Sequence, residues 1–290
     1  MALVALVAVS AVWGVTFVPV KHAVALYPLF AFMTVRFAVA TATLALPAAP
    51  RLRSLGRGGL RAGAVLGGLL ATGYALQTAG LQRTDVSSTG FITGLYVVLT
   101  PLFALVLFRS RIGAAVWLGV VCSVGGLALL AGVHAAGTTG DLLVLASTAA
   151  QALQIVFAER YAAQFDALAL TFVEMLVALG AFFVLAVALG DLHAPHGRTV
   201  WFAILVTGVF ASALAYLVQL WAQRRMSAAR IALLFALESP FAGLFGYLLD
   251  HDRLGVAGWS GCALIMAGIA VAEPAAADLL ARLVRRPRTA

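Results

Sequence analysis

Charge is scarce in this chain, and acidic charge scarcest: of 290 residues, 19 are Lys or Arg and 11 are Asp or Glu, together 10%. Soluble domains carry about 25%. With 63% hydrophobic residues as well, the chain cannot cover itself with a water-compatible surface. Cysteine is nearly absent. The two present, Cys122 and Cys262, both fall in the middle of apolar windows, where they read as small packing residues rather than a disulfide or a metal site. Lysine is confined to Lys21, so the net charge of +8 is almost wholly Arg. Those Arg cluster at the ends of apolar runs, which marks topology rather than a nucleic-acid face. No basic segment precedes the first apolar run, which argues against a signal peptide. A Walker A sequence is missing, which argues against primary pumping. The five His (His22, His134, His193, His196, His251) are scattered, and His193 and His196 share a loop without a third ligand. That pattern calls for no metal, no cofactor and no membrane-embedded enzyme. A facilitative channel is the other alternative, and the Ala/Val-rich runs show no charged ring or filter-like repeat.

What is there is a succession of apolar windows, each long enough to cross a bilayer, which takes roughly 20 apolar residues. They lie at about 3–21, 28–46, 62–81, 87–108, 114–133, 141–158, 167–190, 199–221, 227–249 and 256–273. The fold class is therefore all-α, a polytopic membrane protein with ten transmembrane helices. With the N-terminus inside, the inner segments carry Arg51, Arg53, Arg57, Arg61, Arg109, Arg111, Arg160, Arg224, Arg225, Arg282, Arg285, Arg286 and Arg288. The outer loops carry only Arg83, Arg198 and Arg253. This asymmetry predicts cytoplasmic termini in an inner (plasma) membrane. Residues 275–290 read as a basic tail at anionic headgroups.

Self-comparison at a shift of 142 places Tyr74 and Gln77 on Tyr216 and Gln219. It also places Arg111, Gly113, Trp117, Gly119 and Gly126 on Arg253, Gly255, Trp259, Gly261 and Gly268. Thr100-Pro101 and Ser239-Pro240 align better at 139. Such a repeat contains five windows, and an odd number inverts the second copy. The expected units are 1–136 and 137–274, two five-helix inverted repeats able to rock around a central site.

A path through lipid needs polar or aromatic lining. The candidates are Trp13 and Phe17 at i, i+4, and the repeated Tyr74/Gln77 and Tyr216/Gln219. Gln151 and Gln154 add two amides, with Ser147, on one face of the sixth window. Tyr96 lies near mid-window and falls on Glu238 at the same shift. Glu238 sits about 16 Å from either boundary at 1.5 Å per residue. Pro240 frees the carbonyl of Ala236 beside it. Arg36 and Glu174 are the other deep charges, candidates for charge pairing or coupling. Arg230 lies near a window end and reads as snorkelling.

The motif Trp13-Gly14, Phe17 and Lys21, with Arg36-Phe37, resembles the opening helices of the EamA-type exporters of the drug/metabolite transporter superfamily. Gly80-Leu81-Gln82 followed by Ser87-Ser88-Thr89-Gly90-Phe91-Ile92-Thr93-Gly94-Leu95-Tyr96 to Pro101 is similar to that family's fourth-helix signature. Leu237-Glu238-Ser239 with Phe241-Ala242 and Leu244-Phe245-Gly246 is similar to its ninth. The family's closing Gly-Glu-Arg-Leu-like turn is altered in both copies: the first reads Arg109-Ser110-Arg111-Ile112, with no acid, and the second His251-Asp252-Arg253-Leu254. The resemblance implies export of amino acids, other small metabolites or drugs. The neutral, aromatic lining suits apolar or aromatic zwitterions. A small-molecule substrate, membrane lipids and a coupling proton are the partners this reading names.

Overall fold

The computed structural model describes residues 1–84, 86–131, 138–249 and 255–273; the side chains of Phe17, Lys21, Val86, Ser87, Ser88 and Ala131 also lie outside what is described. The turn at 251–254 and the tail at 275–290 are thus outside the described residues. Every regular element described is helical. In a bilayer this is forced, because each backbone N–H and C=O must find its partner within the chain. The helices are α1 (Ala2–Val24), α2 (Leu29–Leu81), α3 (Val86–Gly94), α4 (Tyr96–Phe108), α5 (Ala114–Ala131), α6 (Thr139–Ala162), α7 (Ala167–Ala188), α8 (Arg198–Val206), α9 (Ala215–Gln223), α10 (Ala228–Phe235), α11 (Glu238–Leu249) and α12 (Val256–Ala272), with a π-helical segment Thr207–Leu214 between α8 and α9. Among the described residues seven helices are long and apolar enough to cross a membrane, and two shorter apolar helices, Ala114–Leu130 and Val256–Ala272, accompany them. Their outer faces stay apolar: Val106, Val121 and Val184 are more than 60% exposed.

Local chemistry sets several ends. Thr138 and Asp141 form a reciprocal capping box at the start of α6, and the Asp166 carboxylate accepts from the N–H groups of Leu168 and Ala169 at the start of α7. Both satisfy amides that a helix leaves open at its first turn. One boundary differs from the sequence reading. The linker expected at 47–61 is helical, so the second and third windows lie in one 53-residue element broken only at Gly56, where φ is 61°. Arg is a good helix former, and the basic stretch continues the helix until glycine supplies the left-handed backbone.

Two windows are interrupted mid-way. The fourth breaks at Leu95, ahead of Pro101, and the ninth at Ala236–Leu237, ahead of Pro240. Pro240 removes the donor that Ala236 C=O would use; Ser239 N–H takes it up instead, at 3.4 Å.

Contacts between the two halves come in matched sets. Ser10 Oγ donates to Leu234 C=O at 3.2 Å, and Thr148 Oγ1 donates to Ile92 C=O at 3.0 Å. Ser10 and Thr148 are 138 residues apart, Ile92 and Leu234 142. On α5 and α12 a Cβ at Gly119 would stand 2.8 Å from Gly268 C=O, and one at Gly126 2.6 Å from Gly261 C=O, so the two helices cross closely and antiparallel. Gly67 abuts Glu174 C=O and Val177, while Gly208 abuts Arg36 C=O and Val39. In each set the N-terminal and C-terminal parts of the chain exchange roles. Gly67 and Gly208 are 141 residues apart, Tyr74 and Tyr216 142. The extra residue falls within the π-helical segment, which is how an α-helix absorbs a single insertion.

Candidate functional site

The residues singled out by sequence gather in the interior, in two groups. In the first, Trp13 donates from Nε1 to Ala211 C=O at 2.8 Å and packs on Phe235 and Tyr216, with ring centroids 4.7 and 5.8 Å away. Tyr216 is buried beside Tyr74, Glu174 and Arg36. Arg36 donates from Nε to Ser212 Oγ at 2.8 Å, and its guanidinium lies 5.7 and 5.6 Å from the ring centroids of Phe37 and Tyr74. Ring faces stabilise a desolvated cation by ~0.5–2 kcal/mol. Gln219 Nε2 donates to Gln154 Oε1 at 3.0 Å, and Gln154 Nε2 donates to Glu174 Oε1 at 2.7 Å. Glu174 is fully buried, and its Oε2 has no partner among the described residues.

The second group is Tyr96 and Glu238, each the first residue of a helix that follows a break, and neighbours in space. Tyr96 is buried, whereas Glu238 is half-buried in mid-window. Gly14 brings α1 against the same stretch, since a Cβ there would stand 2.5 Å from that of Phe241.

Gln77 and Gln151 stand somewhat apart. Gln77 Nε2 donates to Thr93 Oγ1 at 2.9 Å, and Gln151 Nε2 to Ser147 Oγ at 3.1 Å. The side chain of Phe17 lies outside the described residues. Arg36, Glu174 and Glu238 do not pair with one another among the described residues; the ion pairs formed there are Arg51 with Asp166 at 3.7 Å and Arg230 with Glu273. Arg230, read from sequence as snorkelling, instead holds the carboxylate just beyond α12, donating from Nε at 2.7 Å. Arg36 and one oxygen of Glu174 are thus met by neutral groups rather than by each other. At a helix centre that leaves a cost of ~2.5–3.5 kcal/mol to be offset.

Sequence reasoning missed Ser212, Thr93 and the Ala211 carbonyl. Ser and Thr are too common in small-residue runs to stand out, and a carbonyl carries no sequence signal. The step in repeat offset across Thr207–Leu214 could have drawn attention to that segment. Other polar groups fasten the ends of the helices. Glu159 Oε2 accepts from Ala228 N–H at the start of α10 at 2.8 Å, and Gln223 Nε2 donates to Ile155 C=O at 2.6 Å. At the opposite face Tyr27 donates to the carbonyl of His193, and burial raises its phenol above the ordinary value. A groove of about 370 Å³ opens between Arg51, Asp166, Leu217, Trp221 and Arg224. It lies at the helix ends, away from the aromatic and amide groups, and plays no part in the candidate site.

Apolar helices long enough to span, inward-facing polar groups and helices interrupted in mid-window define an integral membrane transporter for a small-molecule substrate. The EamA-like transporter family model matches twice, over residues 1–132 and 138–272, and the chain belongs to that family. It is 27% identical over 266 residues to an uncharacterized transporter of Archaeoglobus fulgidus, covering 91% of this chain and 82% of that protein. It is 26% identical to an uncharacterized transporter of Synechocystis, covering 91% and 87%. A solved crystal structure shares the fold with a TM-score of 0.78 at 19% identity, over 97% of this chain and 98% of that one.

Proposed function

We propose that this chain is a secondary exporter of small metabolites, neutral or aromatic amino acids foremost, working by alternating access. In this reading ten spans form two inverted five-helix repeats, 1–136 and 137–274. The basic loops, the tail at 275–290 and both termini face the cytoplasm across an inner (plasma) membrane. The exchanged contacts Ser10–Leu234 and Thr148–Ile92 support the repeat, as does the double family match. Trp13, Phe17, Tyr74, Gln77, Tyr96, Gln151, Gln154, Tyr216, Gln219 and Glu238 line or back the substrate cavity. Arg36, Glu174 and Glu238 are the groups available for coupling, with a proton as the coupling ion.

The observation that carries the proposal is that Tyr96 and Glu238 lie within electrostatic range of each other. They are 142 residues apart, equivalent in the two halves, and each opens the second segment of an interrupted helix. Two equivalent residues come within electrostatic range of each other only near the relating axis. Transporters of this architecture bind substrate at that level, between broken helices. Glu238, partly accessible there, serves as counter-ion to a substrate ammonium or as proton carrier. Glu238→Gln keeps the shape and hydrogen bonding but cannot ionise. In proteoliposomes loaded with phenylalanine, the variant is expected to lose more than about tenfold in counterflow, equal to 1.4 kcal/mol of barrier. A folded Glu238→Gln protein with unchanged rate and pH profile refutes the assignment.

A further inference from the structure

Glu174 ends a ladder of amides on an atom with nothing to bind. Its Oε1 is met by Gln154, itself fixed by Gln219, while Oε2 is enclosed and unpartnered. The ionisable and charged groups facing it are few. From α9 comes Tyr216, which in turn lies beside Arg36 and Tyr74 of α2. On α6 it meets the neutral Gln154; Glu159, further along that helix, is committed to Ala228 N–H. The π-helical segment offers only Ser212, which Arg36 holds, and α7 has no second ionisable residue. Arg36 makes no ion pair with Glu174, and its Nε–H and ring contacts are spent elsewhere.

The comparison with Arg36 explains why the carboxyl is left alone. Arg36 and Glu174 are 138 residues apart and take equivalent places, each backbone carbonyl abutting a glycine of the other half, Gly208 and Gly67. Where Arg36 finds the hydroxyl of Ser212, the counterpart positions on α2, Leu70 and Ala71, are apolar. A carboxylate in that setting has one uncompensated charged oxygen, whereas a carboxylic acid has only an unfilled neutral hydroxyl, a far smaller penalty.

The two halves also differ in closure. Gln219 is 1% exposed and Leu220 fully enclosed, while their counterparts Gln77 and Thr78 are partly exposed. The half toward the Arg-rich face is therefore shut over Glu174, and the opposite half is the more open. We propose that Glu174 is a proton-binding site whose occupancy holds the Arg-rich half closed, with the Gln219–Gln154–Glu174 ladder as its gate. The inference rests on the alternating-access reading. Opening admits water, the acid ionises, and the proton leaves toward the Arg-rich face. Because the closed state binds the extra proton, low pH favours closure and rising pH favours opening.

The test is thiol accessibility in full-length protein in liposomes, with Cys122→Ser, Cys262→Ser and Leu220→Cys together. Labelling from the Arg-rich side, divided at each pH by the rate for the same cysteine in unfolded protein so that thiolate formation cancels, is expected to rise with pH, falling about tenfold per unit below its midpoint, as one linked proton requires. The slope should persist in Glu174→Asp and vanish in Glu174→Gln, with labelling held low. A flat profile in the parent overturns the proposal, whatever the variants do. So does a slope that survives Glu174→Gln. A flat profile with Leu220→Cys and Thr78→Cys labelling still moving in opposite directions under phenylalanine removes Glu174 but keeps alternating access. Labelling fixed at both positions under every condition removes both.

Discussion

A guanidinium taken out of water is stable only while its N–H groups are met, and the Nε–H of Arg36 is met by a single hydroxyl, that of Ser212. Hydrogen bonds to charged groups contribute ~1.5–3 kcal/mol, and an orphaned buried donor loses all of it. Ser212→Ala should therefore lower stability by about that amount, read as a drop in Tm in detergent. Arg36→Met combined with Ser212→Ala should recover most of the loss, because both partners are then gone. Additive losses would show that the contact is not the reason. At this scale the sequence was informative about burial where a residue type was rare against its background: Tyr216, Gln154 and Gln219 are buried, and Tyr74 packs on Phe37 and Phe182. It was uninformative where the partner was common or had no side chain, as with Ser212 and the Ala211 carbonyl. The separation of Arg36 from Glu174 was also invisible. Whether two charges meet depends on where their helices cross, and neither window records that.

The apolar windows carried the helices because length and hydropathy alone decide what a bilayer accepts. Their internal breaks were less legible. Pro101 and Pro240 pointed to the fourth and ninth windows, yet the interruptions fall at Leu95 and Ala236–Leu237. The π-helical turn of the eighth window has no compositional mark at all. Close helix crossings, by contrast, rest on glycines that self-comparison had already paired. A Cβ at Gly261 would stand 2.4 Å from Gly126 C=O, against backbone that cannot swing aside. Gly261→Ala should thus force α5 and α12 apart and destabilise by ~1–3 kcal/mol. Gly68, on α2, has nothing within 4 Å of its Cβ position, so Gly68→Ala should be neutral or stabilise by up to ~1 kcal/mol through helix propensity alone. Thermal unfolding of the two variants side by side tests the claim. Equal shifts would mean that backbone entropy, not the crossing, sets the cost.

For the whole molecule, the balance of deep charge restricts what can be carried. The interior candidates comprise one cation, Arg36, two acids, Glu174 and Glu238, and otherwise amides and aromatic rings. A phosphorylated solute needs several cationic or bidentate donors to replace its water, and Arg36 is already engaged with Ser212 and two rings. An acid such as Glu238, half-buried between aromatic and small residues, repels a polyanion and attracts an ammonium. A zwitterion with an apolar or aromatic side chain fits both demands. In the proposed function its ammonium faces the acid and its side chain packs where Trp13, Tyr74 and Tyr216 meet, in the manner of mostly apolar sites with a few fixed polar groups. Counterflow across labelled phenylalanine, leucine, glutamate, a nucleoside and glucose 6-phosphate should therefore rank the two neutral amino acids first. Glucose 6-phosphate should fall at background. Replacing the acid by Glu238→Gln should lower amino-acid flux more than nucleoside flux, since only the amino acid presents an ammonium. Efficient flux of the sugar phosphate, with none for phenylalanine or leucine, would mean that the charges inside the molecule do not select the substrate.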